Sequence, residues 1–353
     1  LIYIIMKIFI TGGCGFIGSN FVLQSSSNME NILLNYDSLT YAGNIANLNS
    51  IQHNSNYKFI NGDICNINDL KNAILKFKPD VIIHFAAETH VDRSIDSPLG
   101  FIKTNILGTT NILSCIMHYL DITNNEDFKF IHISTDEVYG SLGDKGFFNE
   151  KTSYKPNSPY SASKASADHL VRAWNRTYGL PSITINCSNN YGPFQFPEKL
   201  IPLIIANCID EKPLPIYGDG QNIRDWLYVK DHCDAINAII RDGTIGESYN
   251  IGGNNEIKNI DLVKIICSSL DGLKPRKNNL PYEELITFVR DRPGHDYRYA
   301  IDFSKVRKNI GWEPKETFET GINKTIKWYL NHEQWWRQIQ SETYNQTRLG
   351  LKK

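Results

Sequence analysis

Two carboxylic acids side by side, Asp136 and Glu137 in the string STDEVYG, lie upstream of a tyrosine and a lysine four residues apart, Tyr160 and Lys164 in YSASK. On a helix that spacing puts the phenol and the ammonium on one face. A neighbouring cation favours the phenolate, so Tyr160 is expected to fall from the ordinary tyrosine value toward neutrality and to act as a base on a hydroxyl. One such base suffices to oxidise an alcohol; the acid pair adds two more groups able to move protons. Carboxyls that share a site repel each other's charge, which separates them into a neutral donor and an ionised acceptor. Adjacent residues on an extended strand point to opposite faces, so a bend after Thr135 or a helix-like turn is needed for both to reach one substrate. Taken singly, an acidic loop and a solvated helix face are the preferred readings of these strings.

The elements that must position these groups begin with GGCGFIGS (12–19), which follows an apolar strand and opens a helix. Gly12, Gly15 and Gly18 permit a tight turn and a close approach of backbone N–H groups to a pyrophosphate. Asp37 ends the next strand about twenty residues on, where a carboxylate accepts from an adenosine ribose and repels a 2′-phosphate, favouring NAD over NADP. Asp63 and Ile64 close the third strand within reach of an adenine, although a capping turn accounts for Asp63 equally well.

Apolar runs at 7–11, 32–37, 57–62, 80–87 and 128–134 alternate with helical patterns at about 16–25, 67–77, 98–120 and 159–178, starting near signals such as Asn68 and Ser97-Pro98. This is the rhythm of an α/β fold with a doubly wound, Rossmann-like parallel sheet. After about residue 188 the rhythm loosens into Pro- and Gly-rich loops, then returns to a strand at 248–253 and a helix at 260–270. The division expected is a dinucleotide domain over 6–188, returning at about 228–253, and a smaller interleaved α/β lobe over 189–227 and 254–340.

Composition excludes several classes. The 353 residues carry 37 Lys plus Arg against 38 Asp plus Glu, a net charge of -1, so no basic field draws nucleic acid or an anionic membrane. Seven scattered cysteines without CxxC spacing argue against disulfides and zinc and favour a reducing cytoplasm. No metal is expected. The opening LIYIIMKIF passes straight into the glycine loop and reads as a buried strand; Met6 is a candidate start, with residues 1–5 an upstream extension. His84 and His132 sit in apolar strands and read as core groups, Cys14 and Cys187 as space-fillers, and Trp328, Trp335 and Trp336 as helix packing.

The strings TGGCGFIGSN, DSLTYAGN, HFAAETHVD, STDEVYG, PYSASKA, NCSNNYGPFQFPEKLIP, RDWLYV, YNIGG and DRPGHD together resemble the extended short-chain dehydrogenase/reductases, and among them the nucleoside-diphosphoglucose 4,6-dehydratases. The resemblance runs from about residue 6 to beyond 315 and leans toward the dTDP-glucose group. It implies that Tyr160 takes the O4 proton as C4 is oxidised, that Glu137 removes the C5 proton, and that protonated Asp136 donates to the departing C6 hydroxyl. Hydride return to C6 then leaves a 4-keto-6-deoxy sugar of the kind that feeds rhamnose. The same resemblance places Thr135 near O4 and Thr89 beside the substrate. It lines the NAD site with Phe16, Ile17, Ser38, Leu39, Thr40, Ala86, Ala87, Thr104 and Asn190, besides the residues above. It gives Asn189, Lys199, Leu200, Pro215, Ile216, Tyr217, Arg224, Asn259, Arg292 and His295 to the nucleotide sugar, with Arg224 and Arg292 suited to diphosphate oxygens. Family members commonly carry lysine where this chain has Ser38, a lost positive charge beside the ribose. A homodimer through the 98–120 and 159–178 helices is also implied, although intramolecular packing fits their periodicity equally well.

Three other readings remain. UDP-glucose in place of dTDP-glucose differs by one methyl, worth about 1–3 kcal/mol in a pocket. A C4 epimerase shares the glycine loop and the Tyr/Lys pair but needs neither Asp136 nor Glu137. A non-catalytic NAD-binding protein needs none of the four.

Overall fold

A computed structural model describes residues 6–342, 344 and 349; the expectation for residues 1–5 lies outside them. Strands β1 (Met6–Thr11), β2 (Asn31–Asp37), β3 (Tyr57–Asn61), β4 (Val81–His84), β5 (Lys129–Thr135) and β6 (Ser182–Cys187) fill the first half of the chain. β7 (Asn189–Tyr191), β8 (Leu214–Tyr217), β9 (Ile223–Tyr228), β10 (Ser248–Ile251), β11 (Glu256–Lys258) and β12 (Ile286–Val289) follow. The large sheet runs β10-β6-β5-β4-β1-β2-β3, and every pairing in it is parallel.

Both faces of that sheet are covered, which explains why its strands read as unbroken apolar runs. Ile8, Ile10, Val81, Ile83, Ile131 and Ile133 join one core with Phe21 and Val22 of helix Phe16–Ser26 and Ile236 and Ile239 of helix Val229–Asp242. The alternate residues Phe9, Ile82 and Phe130 join a second core with Leu70, Ile74, Ile112, Ile116 and Val171 from helices on the other face. Because strand order reverses between β1 and β4, their carboxyl ends open a crevice, the place where such sheets bind ligands. The chain turns out of the sheet after His84, three residues earlier than expected, and Phe85 to Glu88 line that crevice.

Local chemistry sets the helix ends. Helix Ile67–Phe77 is capped by Asn66, whose side chain accepts from Asp69 N, two residues before the expected Asn68. Helix Pro159–Tyr178 starts from a reciprocal Ser158/Ser161 capping box with Pro159 in its first turn and stops at left-handed Gly179. The helical run 98–123 widens into a π-turn over Ile102–Gly108, which no periodicity announced.

The second lobe holds a small sheet, β11-β9-β7, and a parallel pair, β12-β8. Its own core gathers Ile204, Leu262, Ile266, Ile322, Tyr329 and fully buried Trp336. Trp328 and Trp335 pack against Phe194, with ring centroids 4.8 and 5.8 Å away, so the tryptophan cluster is packing as expected. No helix among the described residues is long and apolar enough to cross a membrane.

Candidate active site

A cavity of about 590 Å³ opens above the β1/β4 crevice. Gly12 sits at φ +74°, and a Cβ on it would stand 2.5 Å from the Ala86 nitrogen; a Cβ on Gly18 would stand 2.2 Å from the Gly12 carbonyl. Both positions therefore need glycine, and the cradle they leave suits a pyrophosphate against the start of helix Phe16–Ser26. Asp37 accepts from the Cys14 and Leu39 N–H groups at 2.8 Å each, which orients its carboxylate at the cavity edge. Burial raises its pKa, and those two backbone bonds pull it back down. Gly15, Phe16, Ile17, Ser38, Thr40, Asp63, Ile64, Ala86, Ala87, Thr104 and Asn190 line the same cavity. Leu39 does not: at φ +50° its side chain turns into the main core, and only its N–H serves the site.

The reacting groups meet at the other end of this cavity. β5 delivers Thr135, whose side chain caps a 3-10 turn, Asp136–Tyr139, by accepting from the Glu137 nitrogen at 3.3 Å. This is the bend the acid pair required. Asp136 is 1 % exposed, and its Oδ2 has no hydrogen-bond partner among the described residues. Burial, then Glu137 and Asp225, push its pKa well above the usual carboxyl range, which favours the protonated form. Burial also raises Glu137, but Arg292, Arg224 and Lys199 oppose the rise and favour its charged form.

Tyr160 departs from expectation. Burial, then the nearby charge of Glu137, push its phenol well above the ordinary tyrosine value rather than toward neutrality. Lys164 is engaged elsewhere: its ammonium donates to the Ile133 carbonyl at 2.8 Å and lies near the Asp168 carboxylate. Asp168 in turn accepts from Ser134, Tyr154 and Asn186 at 2.8, 2.9 and 3.2 Å and pairs with His132 at 3.0 Å. His84 bridges Thr11 and Thr109 and is a satisfied core group, whereas His132 bonds Asp168 through Nε2 and leaves its buried Nδ1 without a partner among the described residues. Thr135 contacts the Tyr160 phenol and lowers it slightly against the larger effects.

A second cavity of about 410 Å³ continues into the small lobe. Thr89, Asn189, Lys199, Leu200, Pro215, Ile216, Tyr217, Arg224, Asn259, Arg292 and His295 line it. Glu137 lies on the wall common to both cavities. Arg224 spends its guanidinium on the Ile223 and Asp296 carbonyls, at 2.8 and 2.9 Å, and on the Tyr299 ring, 4.3 Å away. Arg292 pairs with Asp92 at 3.1 Å and leaves its buried Nε without a partner among the described residues. One buried and one half-buried guanidinium, Arg224 and Arg292, face one cavity, and the His295 pKa is down to about 4 through burial and then the two arginines. An anion is the complement of such a wall. The oxygens of Asn189 and Asn259 are likewise buried without partners among the described residues and are placed to accept from a ligand.

The model of the family described as GDP-mannose 4,6 dehydratase matches residues 9–325. The chain belongs to this family. A dTDP-glucose 4,6-dehydratase of Neisseria meningitidis serogroup B is 53 % identical to it, over 98 % of this chain and 99 % of that one. Among solved structures, the dTDP-glucose 4,6-dehydratase of Bacillus anthracis in complex with NAD is 46 % identical with a TM-score of 0.84, covering 95 % of this chain and 99 % of the other. That of Streptomyces venezuelae with NAD and TYD bound is 40 % identical with a TM-score of 0.86, covering 95 % and 100 %.

Several groups of this family member's site escaped the sequence reading. Asp92 carries both Arg292 and the Tyr217 hydroxyl, at 3.1 and 2.8 Å. Glu198 lines both cavities and is bound by Arg93 at 2.9 Å. Both residues stand inside strings already singled out, HFAAETHVD and FPEKLIP, but their partners are remote in sequence. Charge balance in those strings was the available signal.

Proposed function

We propose that the protein is a dTDP-glucose 4,6-dehydratase that converts dTDP-glucose to dTDP-4-keto-6-deoxyglucose with catalytic NAD. The observation that carries this reading is Glu137 on the wall shared by the two cavities, beside a buried Asp136 whose pKa is raised well above the usual carboxyl range. An epimerase needs no such pair. The 53 % identity to a full-length dTDP-glucose enzyme supports the nucleotide.

The glycine cradle and the carboxylate of Asp37 fit NAD, which supplies the hydride acceptor for C4, the hydride returned to C6 and a positive charge in its oxidised form. In this reading residues 6–188, with the return at 228–253, hold the cofactor, and 189–227 with 254–340 hold the nucleotide sugar. Arg224, Arg292 and Lys199 meet the diphosphate, and Pro215, Ile216 and Tyr217 meet the base. Tyr160 takes the O4 proton; because it rests protonated, its activation depends on charge brought by Lys164 and the bound ligands outweighing Glu137. The ketone at C4 acidifies the C5 hydrogen, which Glu137 removes. Asp136 then donates its proton to the leaving C6 oxygen, so that water departs, and C5 is reprotonated after reduction at C6.

The protein acts in the cytoplasm in this reading, and apolar side chains exposed on the 98–123 run, among them Leu99, Ile102 and Leu107, support a homodimer. Sedimentation at micromolar concentration checks the latter. The deciding assay incubates purified protein with dTDP-glucose or UDP-glucose, without added reductant, and follows dehydrated product by mass spectrometry. Dehydration of dTDP-glucose in preference to UDP-glucose is expected. The reverse preference moves the assignment to the UDP enzyme, and galactose-configured or unchanged sugar overturns it.

A further inference from the structure

A cofactor that takes hydride in the first step and returns it in the last must not leave in between, yet the dinucleotide cavity is open on one side. Its rim is built from both lobes: Thr40, Ala42 and Gly43 on one side, Gln195, Phe196 and Glu198 on the other. These two segments are tied together. Tyr41 donates its hydroxyl to Glu198 Oε1 at 3.0 Å, and Arg93 donates Nε to Glu198 Oε2 at 2.9 Å. The Arg93 guanidinium also lies over the Tyr41 ring, 3.8 Å from its centroid, closing a triangle of three side chains. The Glu198 side chain is only 2 % exposed, which strengthens both charge-assisted bonds. Phe196 meets Tyr41 edge-on at 5.4 Å. A further tie comes from the helix Glu333–Glu342, where Trp335 donates its indole N–H to Asn47 at 2.8 Å, just beyond the same loop. Tyr41, Ala42, Phe196, Trp335 and Ile339 share one small apolar cluster.

Nothing in the acid/base chemistry uses Tyr41, Arg93 or Trp335, and none of the three lines the dinucleotide cavity. We propose that Tyr41, Arg93, Glu198 and Trp335 form a strap beside the dinucleotide cavity that ties together two of the segments lining it, positioning residues that keep NAD bound between the oxidation and reduction steps. The loop it holds follows Asp37 directly, so releasing the strap frees the adenosine side of the cavity first. The strap also joins the substrate lobe to the cofactor loop through Glu198, next to Lys199, which reaches the Thr89 carbonyl at 3.0 Å. The inference rests on the NAD reading above.

The test uses full-length holoenzyme and the variants Tyr41→Phe and Trp335→Phe, alone and combined, each of which deletes one donor while keeping a ring in the cluster. Bound NAD per subunit is measured after timed gel filtration, together with turnover with and without added NAD. Each single variant is expected to release NAD roughly two- to tenfold faster, the worth of one net hydrogen bond, and the double variant faster still. Saturating NAD is expected to restore the turnover number and to leave the KM for dTDP-glucose within about twofold of wild type. Variants that keep their full complement of NAD overturn the strap while leaving the function intact. Variants that lose NAD but melt early even in saturating NAD also overturn it, because a general loss of fold explains them. Wild-type protein that binds no NAD overturns the cofactor reading itself, and the strap with it.

Discussion

Asp136→Asn separates two consequences of one buried proton. The carboxyl is 1 % exposed, one of its oxygens is unpartnered, and burial, Glu137 and Asp225 raise its pKa far from the unfolded value. A raised carboxyl binds a proton in the folded state that the unfolded chain has already lost, so wild-type stability falls as pH rises from the ordinary carboxyl range to the raised folded pKa. The slope is at most about 1.4 kcal/mol per pH unit for one proton. The isosteric amide has no such proton. Its stability relative to wild type should therefore grow with pH across that window, starting from near equality below pH about 4. Urea melts of both proteins at half-unit steps from pH 5 to 7.5 measure this, under the saturating NAD that holds the site together. The same substitution removes the acid that protonates the C6 oxygen, and dehydration should slow by about 10²–10⁴-fold, the usual worth of a positioned general acid. Parallel stability curves would show that Asp136 is charged in the folded protein, and the assignment of the neutral donor would be wrong however slow the variant is.

Further outcomes follow from the same geometry. Glu137→Gln should bind NAD and substrate yet stop exchange of the C5 hydrogen with solvent, read by mass spectrometry in D2O; undiminished exchange removes Glu137 from its role. Gly18→Ala places a methyl carbon 2.2 Å from the Gly12 carbonyl, and NAD binding by calorimetry should weaken roughly five- to hundredfold, the cost of about 1–3 kcal/mol of overpacking. Burial works against the Asp168 carboxylate, but the hydrogen bond and charge of His132, with Lys164 and Ser134, hold its pKa below the usual range. A depressed acid stabilises above its unfolded pKa and loses that contribution as pH falls through the folded value. Asp168→Asn should thus cost about 3–5 kcal/mol at pH 7 by urea melts, a gap that closes only below pH about 4.

What was legible in the chain was local. The strands of the large sheet announced themselves because burial on both faces favours an unbroken apolar run, and the glycine loop because two of its three glycines, Gly12 and Gly18, sit where a Cβ would clash. Asp136 and Glu137 were found through the strings around them, and strand geometry required the turn after Thr135 that carries both. The state of Tyr160 was not legible, since it depends on burial and on a carboxylate 23 residues away in sequence, Glu137. Leu39 was placed on the cavity wall by the family resemblance, whereas at positive φ its side chain packs against the main core. β7 and β11 are three residues each, too short for any period to show. Asp92 and Arg292 meet across 200 positions, and no spacing rule reaches that far.

The most direct test follows one hydrogen. dTDP-glucose carrying deuterium at C4 is incubated with the enzyme in ordinary water, and the product is mapped by NMR. If Tyr160, Glu137 and Asp136 act in the order described, the deuterium is found at C6 and the hydrogen at C5 comes from solvent. Deuterium returned to C4, on glucose or its galactose epimer, or lost altogether to water, would contradict the dehydratase account.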